Sequence, residues 1–541
     1  MTQFINKKED IVAEAIDGLV AASGGRLARL DGFPHIRVVV RADWDRSKVA
    51  LVSGGGAGHE PAHAGFVGPG MLTAAVCGDV FASPSVDAVL AGILAVTGRA
   101  GCLLIVKNYT GDRLNFGLAA ERARAFGLNV RVVIVDDDVA LPDLPQARGV
   151  AGTLFVHKIA GALADSGADL ATVTAAAEQV IAGIHSIGMS LDTCTVPGAP
   201  KEDRIPAGKA ELGLGIHGEA GVEQVDYVDA RGAVAMVAEK LSPFMRPGVP
   251  HTVLINNLGG ASVLEMQVLL YELARSPIAD RIGHVIGPAA MMTSLDMRGF
   301  SVSVYPADGT HLAALEAPCG PAAWPGISRL TPVEVVNLPD GLKPIKPLPS
   351  AHAPTRAFLT RCCEILIGAE ALLNQLDAKA GDGDTGSTLA GAARSLLSVM
   401  DDLPLADHTQ LCRAIGLELS QTMGGSSGVL LAIFFAAAGD AASSGLSLTE
   451  ALKAGLQRMQ EIGGAQLGDR TMVDALHPAL ASLAEGGLPA AARAAREGAN
   501  ATAQMVRAKA GRSTYINAEQ LRGHADPGAE AVAILFERLQ G

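Results

Sequence analysis

Up to about residue 337, apolar positions come in short continuous runs separated by longer stretches at helical spacing. Lys48–Ser53 (KVALVS), Gly101–Lys107 (GCLLIVK) and Val130–Val135 (VRVVIV) are β-branched runs of strand length. Val86–Thr97 and Phe116–Phe126 lie between them and read as helices. Continuous apolar strands alternating with helices predict a parallel sheet covered on both faces. The pattern returns at Thr252–Asn256, His284–Ile286 and Ser301–Tyr305. The Gly- and Pro-rich stretch Met189–Gly221 separates the two groups and predicts two α/β lobes, about 1–188 and 189–337.

Strand signals stop after residue 337. Residues 338–354 carry Pro339, Pro344, Pro347, Pro349 and Pro354, which predicts an extended, semi-rigid linker. From 355 to 541 the chain is rich in Ala and Leu at helical spacing. Phe358, Cys362, Ile365 and Leu366, for example, fall on one helix face. The expected architecture is a two-lobed α/β N-terminal domain with mostly parallel sheets, a proline linker and an all-α C-terminal bundle or barrel.

Composition narrows the class. At about 150 residues per domain, 541 residues admit roughly three to four folding units. Hydrophobic residues make up 49% and aromatics 4%, so the cores are aliphatic and disorder is excluded as the dominant state. The net charge of −13 argues against nucleic acid as a partner, but not against a nucleotide held by backbone donors and a metal. The cysteine count is odd, 7, with no C-x-x-C, which favours buried thiols in a reducing cytoplasm. The polar N-terminus lacks a signal-peptide core. The most apolar run, Val429–Ala438, reads as too short to span a bilayer, so no membrane partner is expected.

The helical half carries candidate metal chemistry. Asn374–Leu389 (NQLDAKAGDGDTGSTL) places Asp377, Asp382 and Asp384 at D-x4-D-x-D spacing. Carboxylates this close repel one another unless a hard cation such as Mg²⁺ lies between them. A helix start follows at Ser387 and offers free N–H groups to phosphate. The competing reading is a solvated acidic loop with a threonine cap. Met423–Leu430 (MGGSSGVL) is a second glycine loop before an apolar helix, where Ser426 and Ser427 either donate to phosphate or cap the helix. Gly468–Asp474 (GDRTMVD) and Gly511–Tyr515 (GRSTY) each add an arginine. The chain has neither a P-loop nor the protein-kinase motif set.

The α/β half carries bases and a cation in glycine-rich loops. Val52–Pro61 (VSGGGAGHEP) and Lys107–Asp112 (KNYTGD) each follow a strand directly, where open α/β sheets place ligands. Leu212–Gly221 (LGLGIHGEAG) sets His217 in a glycine loop. Singly, His59, Lys107, Asp112 and His217 have duller explanations as turn caps or surface charges. Together they suit acid/base chemistry on a small polar ligand.

SGGGAGHEP, KNYTGD, ELGLGIHGE, LINNLGG (254–260), GDGDTGST, GGSSG and Asp526-Pro527-Gly528 follow, in order and over nearly the whole chain, the motifs of the ATP-dependent dihydroxyacetone kinases. The resemblance implies a ketose-binding kinase domain fused to an all-helical nucleotide domain, with ATP and Mg²⁺ as cofactors and a cytoplasmic homodimer as the assembly. It implies that His217 bonds the substrate carbonyl as a hemiaminal, which polyols cannot form. Gly56, Ala57, Gly58, His59, Lys107 and Asp112 are then expected around the ketose, with Asp112 or His59 deprotonating the terminal hydroxyl. Asp377, Asp382 and Asp384 match the Mg²⁺ ligands. Thr385, Gly386, Ser387, Thr388, Gly425, Ser426 and Ser427 match the phosphate loops, and Gly468, Met472, Arg512, Asp526, Pro527 and Gly528 border the nucleotide.

Two departures bear on substrate. Relatives that draw phosphate from the sugar phosphotransferase system carry histidine after GDGD. Thr385 stands here, which favours exchangeable ATP. Ala57 stands where many relatives have serine, which leaves a C4 ketose such as erythrulose open beside dihydroxyacetone. The family also admits FAD cleavage to cyclic FMN as a further activity, and a ketose-sensing regulator is the non-enzymatic alternative.

Overall fold

The computed structural model describes residues 3–32, 35–140, 147–339, 347–510, 514, 516 and 518–540. The chain divides into two compact units, Met1–Glu334 and Val335–Gly541.

The first unit is built on two sheets. Sheet one contains β1 (Leu27–Arg29), β2 (Val38–Arg41), β3 (Ala50–Ala57), β4 (Ala74–Val80), β5 (Cys102–Lys107) and β6 (Val130–Val135), in the order β1-β2-β4-β3-β5-β6. β4, β3, β5 and β6 run parallel, as the continuous apolar runs predict, and β1 and β2 add an antiparallel edge. Every residue of β3 is buried, because helices cover both faces of the sheet. α1 (Ile11–Ala22) and α4 (Thr153–Asp165) contribute to the core on one face, α2 (Val86–Val96) and α3 (Thr110–Ala125) to the other. Ser85 caps α2 by accepting from Ala88 N, and Asp169 caps α5 (Leu170–Gly183) by accepting from Thr172 N.

Sheet two departs from expectation. It contains β7 (His185–Ser190), β8 (Lys209–Leu212), β9 (Glu223–Asp226), β10 (His251–Asn257), β11 (Ile282–Ala289), β12 (Gly299–Tyr305) and β13 (Ile327–Arg329), in the order β13-β11-β10-β12-β7-β8-β9. Only β10 and β11 pair in parallel, so this lobe is mostly antiparallel. Residue composition sets strand burial, whereas direction depends on which strands the connections bring together. β7 begins at His185, before the expected lobe cut, and the supposed separator 189–221 itself supplies β8. Helices α6 (Ala230–Leu241) and α7 (Val263–Leu273) cover this sheet, and α8 (Gly309–Glu316) packs against α4.

The second unit has nine α-helices and no strand among the described residues. They are α9 (Ala353–Gly368), α10 (Glu370–Ala380), α11 (Thr385–Ser398), α12 (His408–Thr422), α13 (Gly425–Ser443), α14 (Leu448–Gly463), α15 (Val473–Thr502, kinked at Gly487), α16 (Ala518–Leu521) and α17 (Pro527–Gln540). α9 buries Cys363 and Ile365, while Phe358 is half exposed, so the face expected to be buried is rotated from the observed one. α12, α13 and α14 lie close together because glycines remove the side chains between them. A Cβ on Gly416 would come within 2.9 Å of Ala432 O, and one on Gly455 within 2.4 Å of Phe434 O. α13 has 19 residues, longer than the apolar run Val429–Ala438 inside it, and by length and composition alone could cross a bilayer. In the fold it packs along α12 and α14, burying Ala432, Phe434 and Ala438. All seven cysteines are free.

Candidate active site

Strand pairing places the first two motifs side by side. β3 and β5 are parallel neighbours with Ser53 opposite Ile105, so the loops at their carboxyl ends emerge together. Gly54, Gly55 and Gly56, expected in a loop, lie within the end of β3 and permit close approaches. A Cβ on Gly54 would lie 2.2 Å from Val76 O, and one on Gly56 would lie 2.7 Å from Ala82 N. Gly55 leaves its α-carbon open to two charged groups: a Cβ there would meet Lys107 Nζ at 3.3 Å and Asp112 Oδ2 at 3.4 Å. Lys107 closes β5, and Asp112 lies in the first turn of α3, where the helix dipole favours an anion. Both are buried, and neither Lys107 Nζ nor Asp112 Oδ1 has a hydrogen-bond partner among the described residues. Burial pulls the lysine below its ordinary range, opposed by the carboxylates of Asp112, Asp137, Glu219 and Glu60.

Gly58 (φ 95°) turns the chain so that His59 faces inward, with no exposed surface. His59 Nδ1 lies 2.8 Å from Thr293 O, which places the ring proton on Nδ1. Nε2 then keeps its lone pair and has no partner among the described residues. Burial, and after it the Lys107 and His217 charges, hold this ring well below the usual histidine range, so it is a neutral acceptor at physiological pH. The second lobe clamps the loop. Leu295 N donates to Gly58 O at 2.8 Å and Thr293 Oγ1 to Glu60 O at 3.0 Å. Asn256, from the LINNLGG motif, fixes that clamp by accepting from Met291 N and Met292 N and donating to Met292 O.

His217 arrives from sheet two, on the loop joining the antiparallel pair β8 and β9. Its ring centre stands 4.8 Å from His59, 4.3 Å from Tyr109 and 5.5 Å from Phe81, edge-on to each. The fold thus unites His217 with His59, and Lys107 with Asp112, around one glycine loop; Ala57 is buried at the end of β3. Sequence reasoning overlooked Tyr109 and Glu219, although both lie inside quoted motifs. Phe81 and Thr293 left no local signal, since only folding brings them to the histidines.

In the helical unit, the ligand oxygens of Asp377, Asp382 and Asp384 lie within 4.8 Å of one another. Asp377 is buried and organises the loop: its Oδ2 accepts Asp384 N at 2.9 Å and Thr385 N at 3.0 Å. This all-oxygen set suits a hard cation, and the triad fits Mg²⁺. α11 starts at Thr385, two residues earlier than expected, so Thr385, Gly386, Ser387 and Thr388 form its first turn. Asn374 holds Ser387, accepting from its N–H at 3.0 Å and donating to its Oγ at 2.9 Å. Gly424 is the N-cap of α13, with no side-chain capping bond. Gly425, Ser426 and Ser427 make its first turn and are exposed. Ser426 and Ser427 are therefore not the cap.

Met472 and the Asp526–Gly528 corner meet. A Cβ on Gly528 would lie 3.2 Å from Met472 Cβ. Asp474 accepts Gly468 N at 2.6 Å and Thr471 N at 2.8 Å. Asp526 caps α17, accepting Ala529 N at 2.9 Å, and Pro527 opens that helix. Arg512 lies outside the described residues.

Burial lifts the Asp526 carboxyl to about 6. Between about pH 4 and 6 the folded chain therefore holds a proton that the unfolded chain releases. The resulting stability is complete below that window and is lost as pH rises through 6. Thermal melts from pH 4 to 7 should show this decline in the wild type and a flatter profile in Asp526→Asn, which keeps a capping oxygen. Identical profiles would rule the linkage out.

The chain is similar to known proteins over nearly its whole length. A Dak1 domain matches residues 17–323 and a DAK2 domain matches residues 379–541. The chain is 48% identical to a dihydroxyacetone kinase of Citrobacter freundii, over 99% of this chain and 98% of that one. It is 43% identical to a putative 3,4-dihydroxy-2-butanone kinase of Solanum lycopersicum (99% and 97% covered) and 38% identical to the human triokinase/FMN cyclase (99% and 98% covered). The crystal structure of the C. freundii dihydroxyacetone kinase in complex with AMP-PNP and Mg²⁺ superposes with a TM-score of 0.70, at 46% identity and 99% coverage of both chains.

Proposed function

Because the chain belongs to the dihydroxyacetone kinase family and is an ATP-dependent kinase of short ketoses, we propose that it phosphorylates the terminal hydroxyl of dihydroxyacetone while His217 holds the ketose as a hemiaminal. The observation that carries the reading is the pairing of His217 with the buried, neutral His59 beside the Lys107–Asp112 pair. A nucleophilic imidazole selects for a carbonyl. Glycerol offers similar hydroxyls but no carbonyl, and is rejected chemically rather than by size.

Each neighbour has a task in this scheme. Asp112 takes the proton of the terminal hydroxyl, with the His59 Nε2 lone pair as partner or second base. Lys107 supplies positive charge beside the oxygen that becomes the nucleophile. Asp377, Asp382 and Asp384 would hold Mg²⁺, which when bound neutralises phosphate charge. The first turns of α11 and α13 offer backbone N–H groups and the hydroxyls of Thr385, Ser387, Thr388, Ser426 and Ser427 to the phosphates. Gly468, Met472 and Asp526–Gly528 would border the rest of the nucleotide.

Purified protein with ATP and Mg²⁺ should release ADP only when a short ketose is added. Equal turnover with glycerol would sink the covalent-capture scheme. Ranking kcat/KM for dihydroxyacetone against erythrulose decides the chain length, on which Ala57 bears. The 38% identical triokinase/FMN cyclase favours one second reading, for which AMP release from FAD without ketose is the signature. Homodimer formation through the α/β unit is part of the proposal. α7 exposes Val263, Leu264, Val268 and Tyr271, an apolar stripe that a second copy would cover. Sedimentation at micromolar concentration should show a dimer, and a monomer would contradict this.

A further inference from the structure

The loop that carries His217 is folded around a carboxylate. Glu219 Oε2 accepts the His217 backbone N–H at 2.7 Å, and Oε1 lies 3.7 Å from His217 Nδ1. Gly215 lies directly beneath this carboxylate, and a Cβ there would be 2.6 Å from both oxygens. The second glycine of LGLG thus makes room for Glu219. The base of the loop is anchored by Arg148, which pairs with Asp138 at 2.6 Å and donates to Gly213 O at 2.9 Å. Tyr109 and Phe81 confine the histidine ring from other sides. Burial opposes the Glu219 charge, but the His217 ring close by and hydrogen bonds from backbone N–H groups, that of His217 among them, hold the carboxyl at about 2. Glu219 is therefore ionised at neutral pH.

A carboxylate beside one ring nitrogen selects the tautomer that places the proton there. We propose that Glu219 is a positioning residue for His217: it keeps the proton on Nδ1, presents Nε2 to the ketose carbonyl and balances the charge that the adduct places on the ring. This rests on the reading that His217 captures the ketose. In the step, the Nε2 lone pair forms the bond to the carbonyl carbon. The C=O π pair moves to oxygen, which takes one proton from a water molecule, and the hydroxide left behind passes to solvent. The ring retains its Nδ1–H and becomes a cation opposite the Glu219 carboxylate, so charge and atoms balance.

The test uses the full-length protein and dihydroxyacetone labelled with 13C at its carbonyl carbon. In the wild type, 13C NMR should show a tetrahedral hemiaminal carbon that His217→Ala lacks. Glu219→Gln keeps an oxygen for the His217 N–H but loses the charge. Its adduct population and ketose kcat/KM should fall about 10- to 100-fold, the range for a lost charged hydrogen bond. Gly215→Ala should reproduce the loss by displacing the carboxylate. A wild-type adduct that persists undiminished in Glu219→Gln overturns the proposal and leaves the His217 reading intact. Absence of any adduct in the wild type overturns that parent reading instead. If either variant folds poorly, 15N-histidine spectra of the unmodified protein decide: a proton on His217 Nδ1 supports the assignment, and one on Nε2 overturns it.

Discussion

Asp112→Asn should lower kcat with the ketose by about 10²- to 10⁴-fold, the usual contribution of a positioned general base. The substitution is isosteric and retains one acceptor oxygen, but an amide cannot take the hydroxyl proton. Asp112 is 2% exposed, and its Oδ1 has no partner among the described residues. A buried carboxylate is costly, and the Lys107 ammonium on the same side of Gly55 offsets that cost. Removing the charge therefore takes away the carboxylate that acts most strongly on the lysine, without opening a cavity. Steady-state kinetics should show KM for the ketose changing far less than kcat, with melting temperature shifted by a few degrees at most. The same assay run on His59→Gln settles the open choice between the two bases. A nearly unimpaired Asp112→Asn beside an inactive His59→Gln would transfer the role to His59.

The second large effect belongs to the metal loop. Asp377→Asn keeps an oxygen that can accept Asp384 N and Thr385 N, so the turn into α11 can survive. It removes one negative charge from three carboxylates whose oxygens lie within 4.8 Å. Bound metal contributes several kcal/mol to phosphoryl transfer, so turnover should fall by roughly 10²- to 10³-fold. Mg²⁺ titration should also show a requirement shifted to higher concentration, which a merely structural defect would not produce. An unchanged Mg²⁺ dependence would remove Asp377 from the ligand set. Lost repulsion between carboxylates should leave the variant at least as stable as the wild type without metal.

Much of this site was legible because its chemistry sits in short motifs. Gly54–His59, Lys107–Asp112 and Leu212–Gly221 announced bases and a cation in flexible backbone, and Asp377–Asp384 announced a hard-cation site. Strand and helix periodicity located β3, β5, β6 and α2 within a few residues. The short or small-residue strands escaped it. β4 (AAVCGDV) and β7 (HSIGMS) lack the β-branched runs that mark a strand, and they are held by pairing rather than by propensity. The same limit produced the error in sheet two, where apolar runs were read as parallel strands and the connections made them antiparallel.

The amino-acid sequence by itself determined which candidate groups the chain offers and the class of element that bears most of them, because glycine, aspartate and histidine impose local constraints that depend on near neighbours. Tertiary structure alone decided which of those groups meet. His59 and His217 are far apart in the chain, yet their rings lie 4.8 Å apart because sheet two delivers its β8–β9 loop to the ends of β3 and β5. It also decided protonation. The neutrality of His59 follows from burial and the Lys107 charge, and the Thr293 carbonyl that fixes its proton on Nδ1 comes from the other lobe, so these arise only when distant segments pack.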